Sequence, residues 1–381
     1  MARVLFTIIL LVSLGSVQPS EAKPLKKQFS AWPNLLQNEV LNMYQAGFSG
    51  QIHLFVKDLK TGVRYTHNAA TPTYIASVVK ILFLVELFDQ IERGELNLDD
   101  YIEFTSQDVR SGSPLFNYLP VGARLPVRVL AEAMIQQSDN TASDLVANKV
   151  GLERINQGLK ARGYSGFGQI TRLLDVRSLV YGQLDPRILS FTPRQFRSVD
   201  FAKGGDAKSK KISELLKEAP NYITPSKIDG AYKSYYNSGY NSATMESVGR
   251  LLEDLHLGNV VSATASQAMV DILRGTQTGS GRISAYLPPE TPIAHKTGTQ
   301  YRRTCDVGLI QLPNKDSFIF AACIKGSKGV KRDEVIARLA YKAYTLISQP
   351  DLAASQLERR ANKKHKKKKR RRKGKRKKRT L

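Results

Sequence analysis

The chain reads as an α/β protein, an antiparallel sheet with helices packed against it joined to an all-helical lobe, and three observations carry that reading. Strand signals occur near both ends of the 381-residue chain, helical signals fill its middle, and the terminal strands can pair only within one sheet. Taken in order, Leu36, Val40 and Met43 recur at helical spacing after Pro33, predicting a helix that stops at Gly47. Gln51–Val56 and Val63–His67 flank the turn signal Asp58-Leu-Lys-Thr-Gly62 and read as an antiparallel hairpin. Ser77–Ile91 is apolar nearly all round, the mark of a helix buried inside a domain, with Ser77 at its start. From Asp99 to Gly163 the pattern is helical, most clearly at Leu125–Gln137 and Thr141–Val150, which Ser138-Asp139-Asn140 separates. Residues 182–241, rich in Lys, Ser, Gly and Tyr, show little sustained period and read as an insertion or long loop. Helices return at Ala243–Leu255 and Ala265–Leu273, strands at Ile293–Thr299, Cys305–Leu312 and Phe318–Lys325, and a helix at Asp333–Ile347. No internal repeat is visible.

Composition bounds the function. Arg3, the apolar run Val4–Leu14 and Ser20-Glu21-Ala22 read as an export signal over residues 1–22, which places the protein in the periplasm or outside the cell. About 330 residues follow, enough for one large domain or two interleaved subdomains; we take 23–350 as one unit. Of the net charge of +25, Arg359–Arg379 supplies 17 and contains no acid, so the remainder carries only +8. The segment 351–381 is a disordered polybasic tail by composition. Behind an export signal its expected partners are anionic envelope polymers or lipid head groups. Five scattered histidines and two cysteines offer no ligand spacing, so neither a metal nor another cofactor is expected. A three-residue loop at Pro313–Lys315 would make Cys305 and Cys323 cross-strand neighbours within disulfide reach.

The chemistry concentrates in three short motifs. Ser77-Val-Val-Lys80 sets a hydroxyl and an ammonium one helical turn apart, and a serine hydroxyl needs such a neighbouring base to act as a nucleophile. Alone it is weak, since a chain this long holds about two Ser-x-x-Lys matches by chance. Ser138-Asp139-Asn140 supplies a hydroxyl for proton relay and an amide for a substrate carbonyl, or simply a helix N-cap. Lys296-Thr297-Gly298 supplies an ammonium and a hydroxyl for a carboxylate, and a glycine that lets a substrate lie against the backbone, or simply an edge strand. Each tripeptide turns up in roughly one such chain in ten or twenty, so both, in order, behind Ser-x-x-Lys are improbable by accident.

Together these motifs resemble the class A β-lactamases and penicillin-binding proteins. The likeness extends through the Asp58–Gly62 hairpin, Ser138–Gly151, Arg172, Leu287-Pro288 and Asp306–Ile310, most of residues 35–347. It implies a three-layer α-β-α sandwich with a helical lobe. It implies Ser77 as acylated nucleophile, Lys80 and Ser138 as proton carriers, and the backbone N–H groups of Ser77 and Thr299 as oxyanion hole. Asn140, Lys296, Thr297 and Gly298 would bind substrate, a β-lactam or a peptidoglycan stem peptide. One position departs: aligning Arg172 with the family's Arg puts Arg177 where a Glu should activate the deacylating water, and Val180-Tyr181 where Leu-Asn should stand. Asp175, Glu214 and Glu218 are the candidate replacements. Three functions remain open at this point: a β-lactamase, with slow deacylation if no carboxylate replaces the Glu; a D-alanyl-D-alanine peptidase; or a slow or inactive penicillin-binding scaffold anchored by the basic tail.

Overall fold

The computed structural model describes residues 31–326 and 330–350. The segments expected to be an export signal and a basic tail lie outside them. Twelve α-helices and nine strands are defined in this range. The central sheet holds β1 (Gln51–Asp58), β2 (Arg64–His67), β7 (Ile293–Gln300), β8 (Arg303–Gln311) and β9 (Ser317–Lys325), all antiparallel in the order β2-β1-β9-β8-β7. The predicted pairing of N- and C-terminal strands is β1 against β9. Asp58 fixes the first hairpin: its carboxylate accepts from Lys60 N at 3.0 Å and Thr61 Oγ1 at 2.5 Å. In the last hairpin Leu312 N donates to Asp316 O at 2.8 Å and Lys315 takes φ 70°, closing the three-residue turn. That register sets Cys305 opposite Cys323, and the two are bonded as a disulfide.

Alternation along these strands separates the two faces, as a period of two requires. Leu54, Val56, Phe318, Phe320 and Ile324 pack with α1 (Trp32–Gln45) and α12 (Arg332–Ser348) in one core. Phe55, Ile319, Ala321 and Val307 face the other core, with α2 (Lys80–Glu92), α3 (Val127–Gln136), α4 (Asn140–Val150), α10 (Met245–Leu257) and α11 (Ala263–Arg274). This is the expected three-layer sandwich with a helical lobe; α5 (Leu152–Ala161) completes the lobe. No described helix is long and apolar enough to cross a membrane.

Two expectations need correction. The segment after Asp99 is not helical throughout: β4 (Tyr101–Glu103) pairs with β5 (Arg124–Pro126), and a loop joins them before α3 begins. Its Gly112, Pro120 and Gly122 break the helical pattern. Residues 182–241 are no long loop. They form α7 (Pro193–Phe201), α8 (Gly205–Leu215) and α9 (Pro225–Asn237), which with α6 (Leu173–Tyr181) build a third core. Tyr181, Tyr232 and Tyr235 share the packing there with aliphatic residues such as Ile212 and Ile228, which lowers the apparent hydrophobic period. A short bridge, β3 (Thr73–Tyr74) with β6 (Ser242–Ala243), ties the module to the strand leading into Ser77.

Candidate active site

Ser77 lies in a 3₁₀ turn, Ala76–Val79, and α2 begins at Lys80, whereas the sequence pattern starts the helix at Ser77 itself, three residues earlier. Ala76 is held at φ 51° and Ser138 at φ 56°, left-handed conformations that cost a non-glycine residue about 1 kcal/mol or more each. That backbone strain is absorbed by packing. Residue 298 lies on β7 opposite Cys305, and a Cβ there would stand 2.5 Å from Ile75 O and 3.2 Å from Ala76 Cβ. Gly298 therefore admits the turn that carries Ser77, a different reason for a glycine from the substrate approach expected of it.

Ser77, Asn140 and Thr299 line one cavity together with Ser111, Arg177 and Gln300. Beneath it, two lysines with no exposed surface converge on Ser138. Lys80 Nζ donates to Ser138 O at 2.6 Å, Ser138 Oγ at 3.3 Å and Asn140 Oδ1 at 2.8 Å; Lys296 Nζ donates to Ser138 Oγ at 2.9 Å. Burial pulls Lys80 from 10.5 down to about 7, and Asp139 and Asp144 only partly offset it. Lys296 is driven well below its ordinary value by burial and by the charge of Lys80. Two ammonium groups sharing one hydroxyl in a dry site do not both stay protonated near neutral pH, so a free amine is available beside Ser138. Ser77 Oγ itself makes no hydrogen bond among the described residues.

Long-range contacts hold this arrangement. Asp139 caps α4 through Ala142 N at 2.9 Å, so Ser138-Asp139-Asn140 serves as cap and as site at once. Asp144 accepts from buried Arg110 at 2.6 Å and from Leu173 N and Leu174 N at 2.7 and 3.0 Å, fixing the start of α6 against α4. Asn140 Nδ2 donates to Ser111 O at 2.6 Å. On the other wall Arg282 bonds Gly298 O, Cys305 O and Thr299 Oγ1 at 3.3, 3.0 and 2.7 Å, and Thr297 Oγ1 meets Thr278 Oγ1 at 2.5 Å.

Arg177 lines the cavity, and the three candidate replacements for the missing carboxylate do not. Asp175 caps α6 and pairs with Arg172, Glu214 pairs with Lys211, and Glu218 pairs with Arg187. The α7 helix brings Asp200 instead. Its carboxylate accepts from Arg177 Nε at 2.6 Å, Tyr181 OH at 3.3 Å, Lys208 Nζ at 3.5 Å and the Ser111 hydroxyl. Burial opposes ionisation of Asp200, but Arg177, Ser111 and Lys208 outweigh it and hold the carboxyl below its ordinary value. Such a carboxylate, saturated with donors, is a poor base. It offsets the charge of Arg177, and burial is the leading cause of the Lys80 shift.

The sequence profile of the beta-lactamase enzyme family matches residues 35–347. The chain belongs to that family. It is 24% identical to β-lactamase VEB-1 of Pseudomonas aeruginosa over 66% of this chain and 70% of that one. It is 20% identical to β-lactamase SME-1 of Serratia marcescens over 84% and 86%. A β-lactamase from Chitinophaga pinensis shares the fold at TM-score 0.62 and 21% identity, covering 82% of this chain and 98% of that one. A single-residue mutant of PBP-A, solved as its acyl-enzyme complex with penicillin G, does so at TM-score 0.62 and 18% identity, covering 83% and 97%. This β-lactamase-family chain is a serine hydrolase resembling the class A enzymes. Sequence reasoning missed Arg110, Asp144, Asp200 and Arg282, isolated charges whose partners lie far along the chain.

Proposed function

We propose that Ser77 is acylated by β-lactam amides and that the acyl-enzyme is hydrolysed slowly. Ser77 Oγ adds to the lactam carbonyl carbon while its proton passes to neutral Lys80. The C–N bond then breaks and its nitrogen takes a proton relayed through Ser138, whose hydroxyl both lysines contact. The backbone N–H groups of Ser77 and Thr299 stabilise the oxyanion, Asn140 orients the acyl amide, and Lys296 and Thr297 hold the substrate carboxylate beside Gly298. The carrying observation is the buried amine of Lys80, about 7 in pKa, one turn from Ser77. Slow release follows from the cavity lining, which holds Arg177 and no Asp or Glu. The same Ser77–Lys80–Ser138 arrangement supports a second reading, a D-alanyl-D-alanine peptidase, because acylation by a stem peptide uses the same groups. Intact mass spectrometry during incubation with benzylpenicillin tests the proposal: one adduct on the protein that decays over many minutes, absent from Ser77→Ala. Undiminished labelling of Ser77→Ala contradicts it.

We further propose that the chain is exported, with cleavage after Ala22, and that the basic tail holds it to anionic envelope polymer or lipid head groups. N-terminal sequencing of secreted or periplasmic material reads the first; recovery with Met1 intact contradicts it.

A further inference from the structure

The cavity at Ser77 opens into a second, larger cleft. The first encloses about 50 Å³ beside the serine, enough for the reacting group alone, and the second about 690 Å³. They share Ser111, Asn140, Arg177, Thr299 and Gln300. The outer walls come from the α7–α9 module and from the β7–β8 turn, which are tied together: Asp229 accepts from Arg302 at 3.0 Å, Tyr236 OH donates to Tyr301 O at 2.8 Å, and Tyr232 stacks on Tyr301 at 4.8 Å. This is a fixed trough. Gly204, at φ 89°, and Gly205 contribute no side chains to the wall and leave it wide.

Its lining has two chemical parts. Phe201 and Pro225 offer exposed apolar surface for an acyl chain, with Ile228 behind them. The charged residues are Arg177, Lys208 and Arg302 against Asp200 and Asp229. Arg177 pairs with Asp200 at 2.6 Å and Arg302 with Asp229 at 3.0 Å, so three cations face two carboxylates and Lys208 shares Asp200 with Arg177, which leaves the lining net positive. Lys208 Nζ donates to the backbone oxygens of Val199 and Asp200 at 3.2 and 3.3 Å and stands 3.5 Å from the Asp200 carboxylate, whose oxygens already accept from Arg177, Ser111 and Tyr181; an incoming carboxylate takes the place of that long contact.

We propose that this cleft selects acyl donors whose acyl side chain is extended and ends in a carboxylate, with Lys208 as the residue that recognises it. The inference rests on acylation at Ser77 and adds the class of acyl group preferred there. The test uses three penicillins that differ only in the amide on the 6-amino group: acetyl, hexanoyl and adipoyl. Hexanoyl and adipoyl have equal chain length and differ in the terminal carboxylate. Second-order acylation rates are read by quenched-flow mass spectrometry on the full chain. One charge-assisted hydrogen bond gives adipoyl an advantage of about tenfold over hexanoyl. In Lys208→Met the ratio falls to about one, and in Lys208→Arg it is retained; a general loss of folding or of chemistry leaves the ratio unchanged. A wild-type ratio of one, or a ratio that survives Lys208→Met, overturns the selection. Absence of adduct with all three penicillins overturns the Ser77 reading beneath it.

Discussion

Replacing Lys80 by Met separates what that residue costs the fold from what it contributes to chemistry. Methionine fills nearly the same volume without an amine, in a position with no exposed surface. The amine is held at about 7 in the folded protein against an ordinary lysine value of 10.5. A depressed lysine pKa means that the unfolded chain binds more protons between those two values, so wild-type stability rises with pH across that window. The gain amounts to about 4–5 kcal/mol between pH 7 and pH 10.5. Below pH 7 both states are protonated and the penalty is constant. Lys80→Met removes this gain, while Lys296, relieved of a charged neighbour, shifts upward and contributes less. Urea unfolding at pH 7, 8, 9 and 10 therefore gives a steep rise for wild type and a much flatter line for the variant. Acylation falls about 10²-fold to 10⁴-fold, the usual share of a positioned base. In wild type its rate rises with pH up to about 7 and levels off above it, as the amine loses its proton. Parallel stability lines, or acylation undiminished in the variant, refute the assignment of Lys80 as the buried base.

Other perturbations test the supports of the site. Asp200→Ala leaves half-buried Arg177 without its counter-charge and costs about 1–3 kcal/mol by chemical denaturation, whereas Arg177→Met with Asp200→Leu costs less than Asp200→Ala alone. Gly298→Ala sets a methyl 2.5 Å from Ile75 O, loses about 1–3 kcal/mol, and slows acylation at least tenfold by displacing the turn that carries Ser77; unchanged acylation would show that the turn tolerates the shift. Truncation after Glu358 leaves acylation intact and lowers affinity for anionic vesicles, with the full-length binding weakening steeply as salt is raised. Equal, salt-insensitive binding by the two forms counts against the tail.

Much of this was readable from the chain because the relevant order is covalent. Ser77 and Lys80 are three residues apart, and the all-round apolar pattern of Ile81–Phe88 already implied a buried lysine. Cys305 and Cys323 followed from hairpin register, since a short turn leaves one pairing. The helix cap at Asp139 and the site at Ser138 and Asn140 proved to be one feature. What stayed hidden depends on contacts across the fold. Nothing near Asp200 in sequence announces Arg177, 23 residues away, or Ser111, 89 residues away. The role of Gly298 needed the position of Ile75. The α7 and α9 helices did leave a signal: Thr192-Pro193 and Thr224-Pro225 are N-cap and N1 pairs, while the aromatic packing of the module, tyrosine-rich along α9, masked the period.

The central claim is that this site acylates readily and lacks an effective base for release, and pre-steady-state kinetics with a chromogenic cephalosporin tests it most directly. The account predicts a burst of about one equivalent per protein, then slow turnover, with the trapped adduct mapping to the peptide that contains Ser77. Fast turnover with no burst and no trapped adduct would contradict it, and would mean that Asp200, despite its four donors, activates water after all.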